Sequence, residues 1–315
     1  MKAIVIHPYG GPDVLKYEDY PEPAPGEGEV LVRVAASSVN RFDIKLRSGS
    51  LKELIPLDFP AILGLDVSGT VESVGPGVKT FRPGDNVFAH AFQAYAGLCA
   101  MRATDLAKIP EGADVVSMAA LPTVTTTGSQ LASLALGCKS GGTMLVTGAV
   151  GNVGRSNVYA AKSRGASVIA GVLKRQVAKA QSVGADSVVA LDDAAALKAM
   201  EPVDAVADTV SGSTADEVLA KIKDGGIFAS VLGSPCEAEN YPSVEVKTMQ
   251  VTADSAVLSA MAEAVHNGAL SIPLGEKFPL KDAGKAHAAA EKSSTDVVPS
   301  CSRRHGNTFG ESSQV

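Results

Sequence analysis

Residues 143–175 read TMLVTGAVGNVGRSNVYAAKSRGASVIAGVLKR, and this stretch decides the fold. An apolar, β-branched run comes first and is followed by a turn with three glycines. A helical pattern and a second β-branched run follow, and the second run ends on two cations. This order predicts a strand, a tight turn, a helix and a neighbouring strand, which is the repeating unit of a parallel α/β sheet.

The glycine turn predicts a site for a dinucleotide. Gly148, Gly151 and Gly154 lie between the first strand and the helix, and Ala149 takes the first position of the GxGxxG frame. A pyrophosphate must approach the backbone closely at Gly151, and a small residue at Gly154 lets the helix pack against the strand. The N–H groups at the helix N-terminus then attract the anion. A tight turn without a ligand is the alternative, and the alternation of strands and helices around it disfavours that alternative.

The end of the second strand predicts which dinucleotide is bound. NAD sites usually place an Asp or Glu about twenty residues after the glycines, where it binds the ribose hydroxyls. Here the strand ends on Lys174 and Arg175. Two cations attract a 2′-phosphate through charge-assisted hydrogen bonds, so NADP(H) is favoured over NAD(H). The alternative is that both cations only cover the first turn of the next helix, where they sit unfavourably against its dipole.

The composition is that of a globular protein with two domains. The chain has 315 residues, which is long for a single hydrophobic core. Its net charge of −6 argues against a nucleic-acid surface. No apolar segment approaches the roughly 18 residues of a membrane span, and the N-terminal apolar run is too short for a signal peptide. The four cysteines lie far apart in the sequence, which favours free thiols in a cytoplasmic protein.

The sequence pattern changes near residue 117. Before it, short β-branched runs alternate with glycine and proline turns, which predicts an irregular, partly open β-barrel. After it, strand and helix patterns alternate as far as a sixth strand candidate, VEVKTMQVT (244–252), which predicts a parallel sheet with right-handed crossovers.

The whole chain resembles the medium-chain dehydrogenase/reductase superfamily, and within it the zinc-free quinone oxidoreductase branch. The resemblance covers about residues 1–295 and is carried by SSVNRFDIKLRSG (37–49), LGLDVSGTVESVGPGVKTFRPGD (63–85), AALPTVTTTG (119–128), GAVGNVG (148–154) and DTVSG (208–212). It implies a Rossmann domain at 118–253, inserted into a GroES-like catalytic domain at 1–117 and 254–315. The nicotinamide would enter the cleft between them.

The resemblance also implies a site without metal. Zinc-dependent members of the superfamily place a Cys where this chain has Asn40 or its neighbours, and a His-Glu pair where it has Leu65 and Asp66. One nearby histidine, His90, cannot complete a set of three ligands. Without a Lewis acid an isolated alcohol is a poor substrate, whereas a quinone or enone accepts hydride with less help.

Site residues follow from the resemblance as well. The candidate catalytic residues are Asn40, Asp43 and Lys45. Lys45 could donate to a developing oxyanion, or it could point outward with Arg41 and Arg47; Asp43 could instead cap a short helix. The expected cofactor contacts are Asn40 and Thr127 near the nicotinamide, and Gly148, Gly151, Asn152, Val153, Gly154, Lys174, Arg175, Val210, Leu232, Gly233 and Ser234 along the rest of the dinucleotide. Val177 takes the place where many relatives carry a phosphate-binding lysine.

The leading hypothesis is an NADPH-dependent, zinc-independent reductase of a quinone or another activated alkene, such as an enone or alkenal. An enoyl-thioester reductase is the second possibility, with a basic entrance formed by Arg41, Lys45, Arg47 and Lys52. A cofactor-binding protein with a sensing or structural role is the third. By analogy with relatives, we expect a homodimer formed along the sixth strand of the Rossmann sheet.

The C-terminal end departs from the family pattern. Relatives finish with a short apolar strand that returns to the catalytic domain, and here only Val297 and Val298 remain of it, followed by Pro299. We therefore expect that strand to be missing and the tail to be disordered from about residue 299.

Overall fold

Three β-sheets organise the chain in the computed structural model, which describes residues 1–137, 141–292 and 300–302. Two of these sheets contain the strands of the N-terminal third, and the other is a parallel sheet that includes the glycine-turn region. The topology confirms the predicted fold class, a Rossmann doubly wound sheet together with an antiparallel β domain.

The N-terminal strands pair antiparallel. They are β1 (Lys2–Ile6), β2 (Lys16–Asp19), β3 (Glu29–Ser38), β4 (Ala61–Ile62), β5 (Asp66–Val74), β6 (Asn86–His90), β7 (Leu98–Arg102) and β8 (Leu106–Lys108). Strand β3 is central, because it pairs with both β5 and β7. A short helix, α1 (Arg41–Ser48), follows β3 directly and ends at Gly49, whose φ of 79° is the left-handed conformation that glycine adopts without strain.

The parallel sheet has the strand order of a dinucleotide-binding fold. Its strands are β9 (Thr143–Thr147), β10 (Ser167–Val172), β11 (Ser187–Ala190), β12 (Val203–Asp208), β13 (Ile222–Ser230) and β14 (Glu245–Thr248). The spatial order is β11, β10, β9, β12, β13, β14, and all neighbours pair parallel. The chain therefore runs outward from β9 to one edge and then crosses to β12, which puts the topological switch point between β9 and β12.

Helices pack against this sheet and against the neighbouring antiparallel strands. They are α2 (Val115–Met118), α3 (Pro122–Leu136), α4 (Asn152–Ser163), α5 (Val177–Ala180), α6 (Ala194–Ala199), α7 (Ser213–Leu219) and α8 (Ser255–His266). A Cβ atom at Gly154 would lie 2.2 Å from the carbonyl oxygen of Gly148, so only glycine lets α4 approach β9 this closely. No helix in the described part of the chain is both long and apolar enough to cross a bilayer.

After α8 the chain returns to the antiparallel sheet through β15 (Lys277–Pro279), α9 (Ala283–Lys292) and β16 (Ser300–Ser302). Strand β16 pairs antiparallel with residues 36–38 of β3 and parallel with β15. The predicted disorder is therefore wrong for residues 300–302. Backbone pairing needs no apolar side chains, so the loss of apolar periodicity did not reveal this strand. The rest of the predicted tail lies outside the described residues, and the domain boundaries at 117 and 253 stay predictions.

Candidate active site and cofactor site

Most of the predicted cofactor residues lie at one edge of the parallel sheet; Asn40 and Thr127 are the exceptions. Strands β9, β10, β12 and β13 all end there, and the residues expected to contact the dinucleotide follow these four strand ends directly. Parallel strands present their carboxyl ends at the same edge, which is where ligands bind in doubly wound sheets. The glycine turn follows β9, the two cations follow β10, Val210 follows β12, and residues 232–234 follow β13.

The glycine turn leaves an open helix N-terminus. Gly148 has a φ of 66°, and Gly151 precedes α4 as its N-cap. Because the N-cap is a glycine, it has no side chain that could cap this turn. The N–H groups at the start of α4, together with the helix dipole, are therefore suited to an anion.

A buried carboxylate that sequence analysis did not single out holds this edge together. Asp208, the last residue of β12, accepts hydrogen bonds from the hydroxyls of Thr147 (2.7 Å) and Ser230 (2.9 Å). It also accepts from the backbone N–H groups of Val210 (3.1 Å) and Ser211 (3.2 Å). Asp208 thus joins the ends of β9, β12 and β13 and fixes the loop after β12. The DTVSG motif was the available signal, but the partners lie in distant strands.

Two apolar side chains project from the loops that Asp208 fixes. Val210 is 46% exposed and Leu232 is 42% exposed, although both are large and apolar. The Leu232 N–H donates to the hydroxyl of Ser230, which itself donates to Asp208. Both side chains thus form an exposed apolar surface at this edge of the sheet, and their contact with a dinucleotide stays a prediction.

The two cations after β10 differ in their surroundings. Lys174 Nζ forms an ion pair with Asp193 at 3.2 Å, and the Lys174 N–H donates to Asp192 at 2.6 Å. Arg175 is exposed and forms no ion pair with any residue in the described ranges. Asp192 and Asp193 therefore lie next to the predicted 2′-phosphate site, and their negative charge offsets the positive charge of Lys174 there.

A second group of predicted residues surrounds Asp66 at the start of β5. Asp66 is fully buried, and its Oδ2 accepts from the Ser38 hydroxyl and from Asn40 Nδ2, the latter at 2.8 Å. Its Oδ1 accepts from the N–H and the hydroxyl of Thr123, both at 2.7 Å. Both carboxylate oxygens are thus occupied by donors from β3, the turn after it and α3.

This donor set does not fit a catalytic zinc. His90 Nδ1 lies 3.0 Å from the Thr123 hydroxyl and 3.9 Å from Asp66 Oδ1. Neutral donors already hold both oxygens of Asp66, and in the described part of the chain no three His, Cys, Asp or Glu side chains are grouped as metal ligands. A zinc site needs three protein ligands around an open position, so the arrangement does not provide one.

The three candidate catalytic residues occupy unequal positions in and beside α1. Asn40 is the N-cap, and its Nδ2 donates to both Ser38 Oγ (3.0 Å) and Asp66. Asp43 takes the alternative, capping role: it accepts from the Asn40 N–H at 2.8 Å and is fully buried, and burial raises the pKa of its carboxyl to about 7. Lys45 is exposed. Catalytic roles for these residues stay predictions.

A buried polar chain links α1 to α9. Arg47 is 2% exposed, and its guanidinium donates to the Gly10 carbonyl (3.1 Å), to His287 Nδ1 (3.2 Å) and to Glu291. His287 Nε2 lies 3.2 Å from the Tyr95 hydroxyl, which donates to the Ser38 carbonyl at 3.1 Å. The expectation that Arg47 belongs to an outward polar face is wrong, because its partners lie in α9 and at Gly10, and the local pattern does not show them.

Helix α3 connects the two groups of residues. Its first turn holds Thr123, which binds Asp66, and Gly128 lies about 7.5 Å further along the axis. A Cβ atom at Gly128 would lie 2.7 Å from the Val153 carbonyl oxygen, so α3 and the first turns of α4 are in close contact there. Thr127, predicted near the nicotinamide, lies between these contacts, and its hydroxyl donates to the Thr123 carbonyl at 2.5 Å.

Known protein families and relatives match this chain over most of its length. The family described as alcohol dehydrogenase GroES-like domain matches residues 26–187, and the family described as zinc-binding dehydrogenase matches residues 183–296. A quinone oxidoreductase from Pseudomonas aeruginosa is 30% identical over 325 residues, covering 94% of this chain and 98% of that protein. An acryloyl-coenzyme A reductase from Sulfurisphaera tokodaii is 31% identical over 260 residues, covering 73% of this chain and 76% of that protein.

A solved structure agrees over nearly the whole chain. A mycobacterial protein complexed with NADPH is 29% identical, with a TM-score of 0.81, and the match covers 96% of this chain and 100% of that one. The described residues offer no suitable ligands for the zinc that the description of the second family names, because both oxygens of Asp66 are occupied by other donors.

Asp208→Asn tests the carboxylate at the sheet edge. All partners of Asp208 are donors, so the amide NH2 of asparagine would face donors and displace the loops after β12 and β13. We expect nucleotide affinity to fall about tenfold in a fluorescence titration. Asp186→Asn is the control, because Asp186 precedes β11 at the opposite edge of the sheet, where it pairs with Lys162. Equal affinity in the Asp208 variant and the wild type would contradict the assigned role.

His287→Gln tests the buried chain through its pH dependence. Burial, and then the charge of Arg47, lower the pKa of His287 from 6.5 to about 3 in the folded protein. The unfolded chain therefore binds this proton first, so the stabilisation that neutral His287 provides is complete above pH 6.5 and is lost as pH falls toward 3. By pH 5 the wild type should have lost about 2 kcal/mol relative to the glutamine variant. Urea unfolding of both proteins from pH 7 to pH 5 measures this, and parallel stability curves would contradict it.

Proposed function

The chain is an NAD(P)-dependent reductase of the quinone oxidoreductase branch of the medium-chain dehydrogenase/reductase superfamily, and we propose that it transfers hydride from NADPH to a quinone or another activated alkene without a metal ion. The observation that carries this proposal is the contrast between two neighbouring sites. The N-terminus of α4 is open to an anion, whereas Asp66 is saturated by neutral donors and offers no place for a Lewis acid.

The sheet edge supplies the proposed cofactor contacts. The N–H groups at residues 152–154 would hold the pyrophosphate, and the exposed side chains of Val210 and Leu232 would contact the dinucleotide further along. Arg175 and Lys174 would contact the 2′-phosphate. The NADPH bound by the mycobacterial relative supports the choice of cofactor.

Bound NADPH supplies a hydride, that is, one hydrogen with two electrons. In this proposal the chain positions the acceptor and excludes water from one side, while the negative charge that reaches the acceptor oxygen is neutralised by a proton from solvent. Asn40 serves as a positioning residue, because both N–H bonds of its amide are directed at Ser38 and Asp66. Asp43 is buried under α1, and it supports Asn40 without reaching the acceptor.

A conjugated acceptor suits this site better than an alcohol. Oxidation of an isolated alcohol needs help in lowering the pKa of the hydroxyl, and zinc usually gives that help. An enone, alkenal or quinone spreads the incoming charge over a conjugated system. The absence of suitable zinc ligands in the described residues around Asp66 therefore favours reduction of activated alkenes.

Reduction of an enoyl thioester is the second candidate, and the name of the Sulfurisphaera tokodaii relative favours it. The predicted basic entrance has fewer available cations than expected, because Arg47 is buried and paired with Glu291. Lys45 and Lys52 are exposed and remain available for the phosphates of a carrier. A cofactor-binding protein without turnover is the third candidate, and tight NADPH binding without reduction of any acceptor would identify it.

The predicted homodimer stays a proposal. Within the described residues, β14 pairs only with β13, so its outer edge is open to a second copy of the chain. A mass of one chain in light scattering would refute the dimer.

Steady-state assays test the reductase directly. With NADPH as donor, we expect turnover of quinones, enones or alkenals, because their conjugation replaces the Lewis acid, and no oxidation of simple alcohols with NADP⁺. Absorbance at the NADPH band measures both directions. Failure to reduce any member of the panel, in protein that binds NADPH, would count against the proposal and in favour of the third candidate.

Arg175→Ala tests the source of the cofactor preference. Loss of this unpaired cation should raise the KM for NADPH about tenfold and leave the KM for NADH nearly unchanged, because only NADPH carries the 2′-phosphate. Lys174→Ala is the matched variant, and its effect should be smaller, since Asp193 already holds that ammonium group. Equal changes for both nucleotides would contradict the proposed contact.

A further inference from the structure

Arg155 lies beside the glycine turn, where it is mostly buried, and it is not among the cofactor contacts proposed above. It is 6% exposed and lies in the first turns of α4, four residues after Gly151. Its Nε donates to the carbonyl oxygen of Val150 at 3.0 Å. In the described part of the chain, no carboxylate lies within ion-pair distance of its guanidinium, and no acceptor is bonded to its two terminal nitrogens.

Arg47 shows how this fold treats a buried arginine that has a structural role. It is 2% exposed, and its guanidinium reaches a carbonyl, a histidine nitrogen and the carboxylate of Glu291. Its charge is therefore compensated inside the protein. Arg155 has only the carbonyl of Val150, so the same side-chain chemistry is left half satisfied.

The terminal nitrogens of Arg155 have no protein partner among the described residues, and they are not fully buried, so in the free protein they reach solvent. Burial lowers the pKa of Arg155, and no neighbouring carboxylate opposes that shift. A guanidinium whose stem is buried and whose terminal nitrogens reach solvent can bind an anion there through charge-assisted hydrogen bonds.

The position of Arg155 indicates where this anion would lie. Helical side chains point back toward the helix N-terminus, and the bond from Nε to Val150 places the guanidinium against the turn that precedes α4. The same turn presents the N–H groups of the open helix end. Two independent features, a helix N-terminus whose N-cap is a glycine and a guanidinium without an anionic partner among the described residues, thus face one small region.

We propose that Arg155 is a phosphate contact of the bound dinucleotide, in which its terminal nitrogens take the anion as the partner that the protein lacks. This proposal rests on the proposed function, because it deepens the description of the same cofactor site. The phosphate is either the pyrophosphate or the 2′-phosphate, and the two share the same chemistry toward a guanidinium.

The test measures nucleotide affinity and thermal stability for variants of the full chain. Arg155→Met removes the charge and retains an apolar side chain of similar length. Arg155→Gln also removes the charge but keeps an N–H donor for Val150. Arg164→Met is the matched control at the other end of α4, where Arg164 donates to the carbonyl of Ala160 at 2.9 Å. The dissociation constants for NADPH and NADH are measured by fluorescence titration, and the melting temperature is measured without nucleotide.

We expect the Arg155 variants to lose nucleotide affinity without losing thermal stability. Both Arg155 variants should bind NADPH about tenfold more weakly, because a charge-assisted contact is lost. Their melting temperatures without nucleotide should stay close to the wild-type value, because the terminal nitrogens of Arg155 have no partner among the described residues. Equal weakening for NADPH and NADH assigns the contact to the pyrophosphate, and weakening of NADPH alone assigns it to the 2′-phosphate. The control should bind both nucleotides like the wild type.

Two results would overturn the proposal. NADPH affinity within twofold of wild type would show that Arg155 contacts no phosphate. A lower melting temperature in both Arg155 variants would show that the guanidinium supports the fold instead. If the wild-type chain binds neither nucleotide, the proposed function fails before Arg155 is tested, so the two failures are distinguishable.

Discussion

The buried carboxylate of Asp66 is the interaction on which the rest of the site depends. A charge in the interior is tolerated only when donors surround it, and here the donors come from the end of β3, from the N-cap of α1 and from the first turn of α3. One side chain therefore fixes three segments that are distant in sequence. Because donors from Ser38, Asn40 and Thr123 occupy both of its oxygens, Asp66 is not free to act as a zinc ligand.

A second buried carboxylate, Asp208, joins separate segments of the parallel sheet in the same way. It gathers the ends of β9, β12 and β13, while Asp66 gathers the antiparallel side, and α3 contacts both regions. A hydride must travel only a few ångströms between donor and acceptor, so these two carboxylates contribute by placing the two sides rigidly. The chain from Arg47 through His287 and Tyr95 adds a further anchor to Ser38, next to Asn40.

Sequence patterns predicted those features that depend on local geometry. The glycine turn, the alternation of strands and helices, and the strand with two terminal cations are consequences of neighbouring residues, and the structure has all three. Features set by distant partners were not predictable. Arg47 looked like one of several surface cations until α9 placed His287 and Glu291 beside it, and Lys174 is paired with Asp193 across a loop. Strand β16 depends on backbone pairing, which polar residues satisfy as well as apolar ones.

The most direct test of the account is metal content measured together with turnover. Purified protein is analysed for zinc, and reduction of an activated alkene or quinone by NADPH is assayed before and after prolonged treatment with a strong chelator. The account predicts far less than one zinc per chain and the same rate after chelation, because the donors around Asp66 exclude a metal ligand set. About one zinc per chain, with activity that is lost on chelation and restored by added zinc, would contradict it.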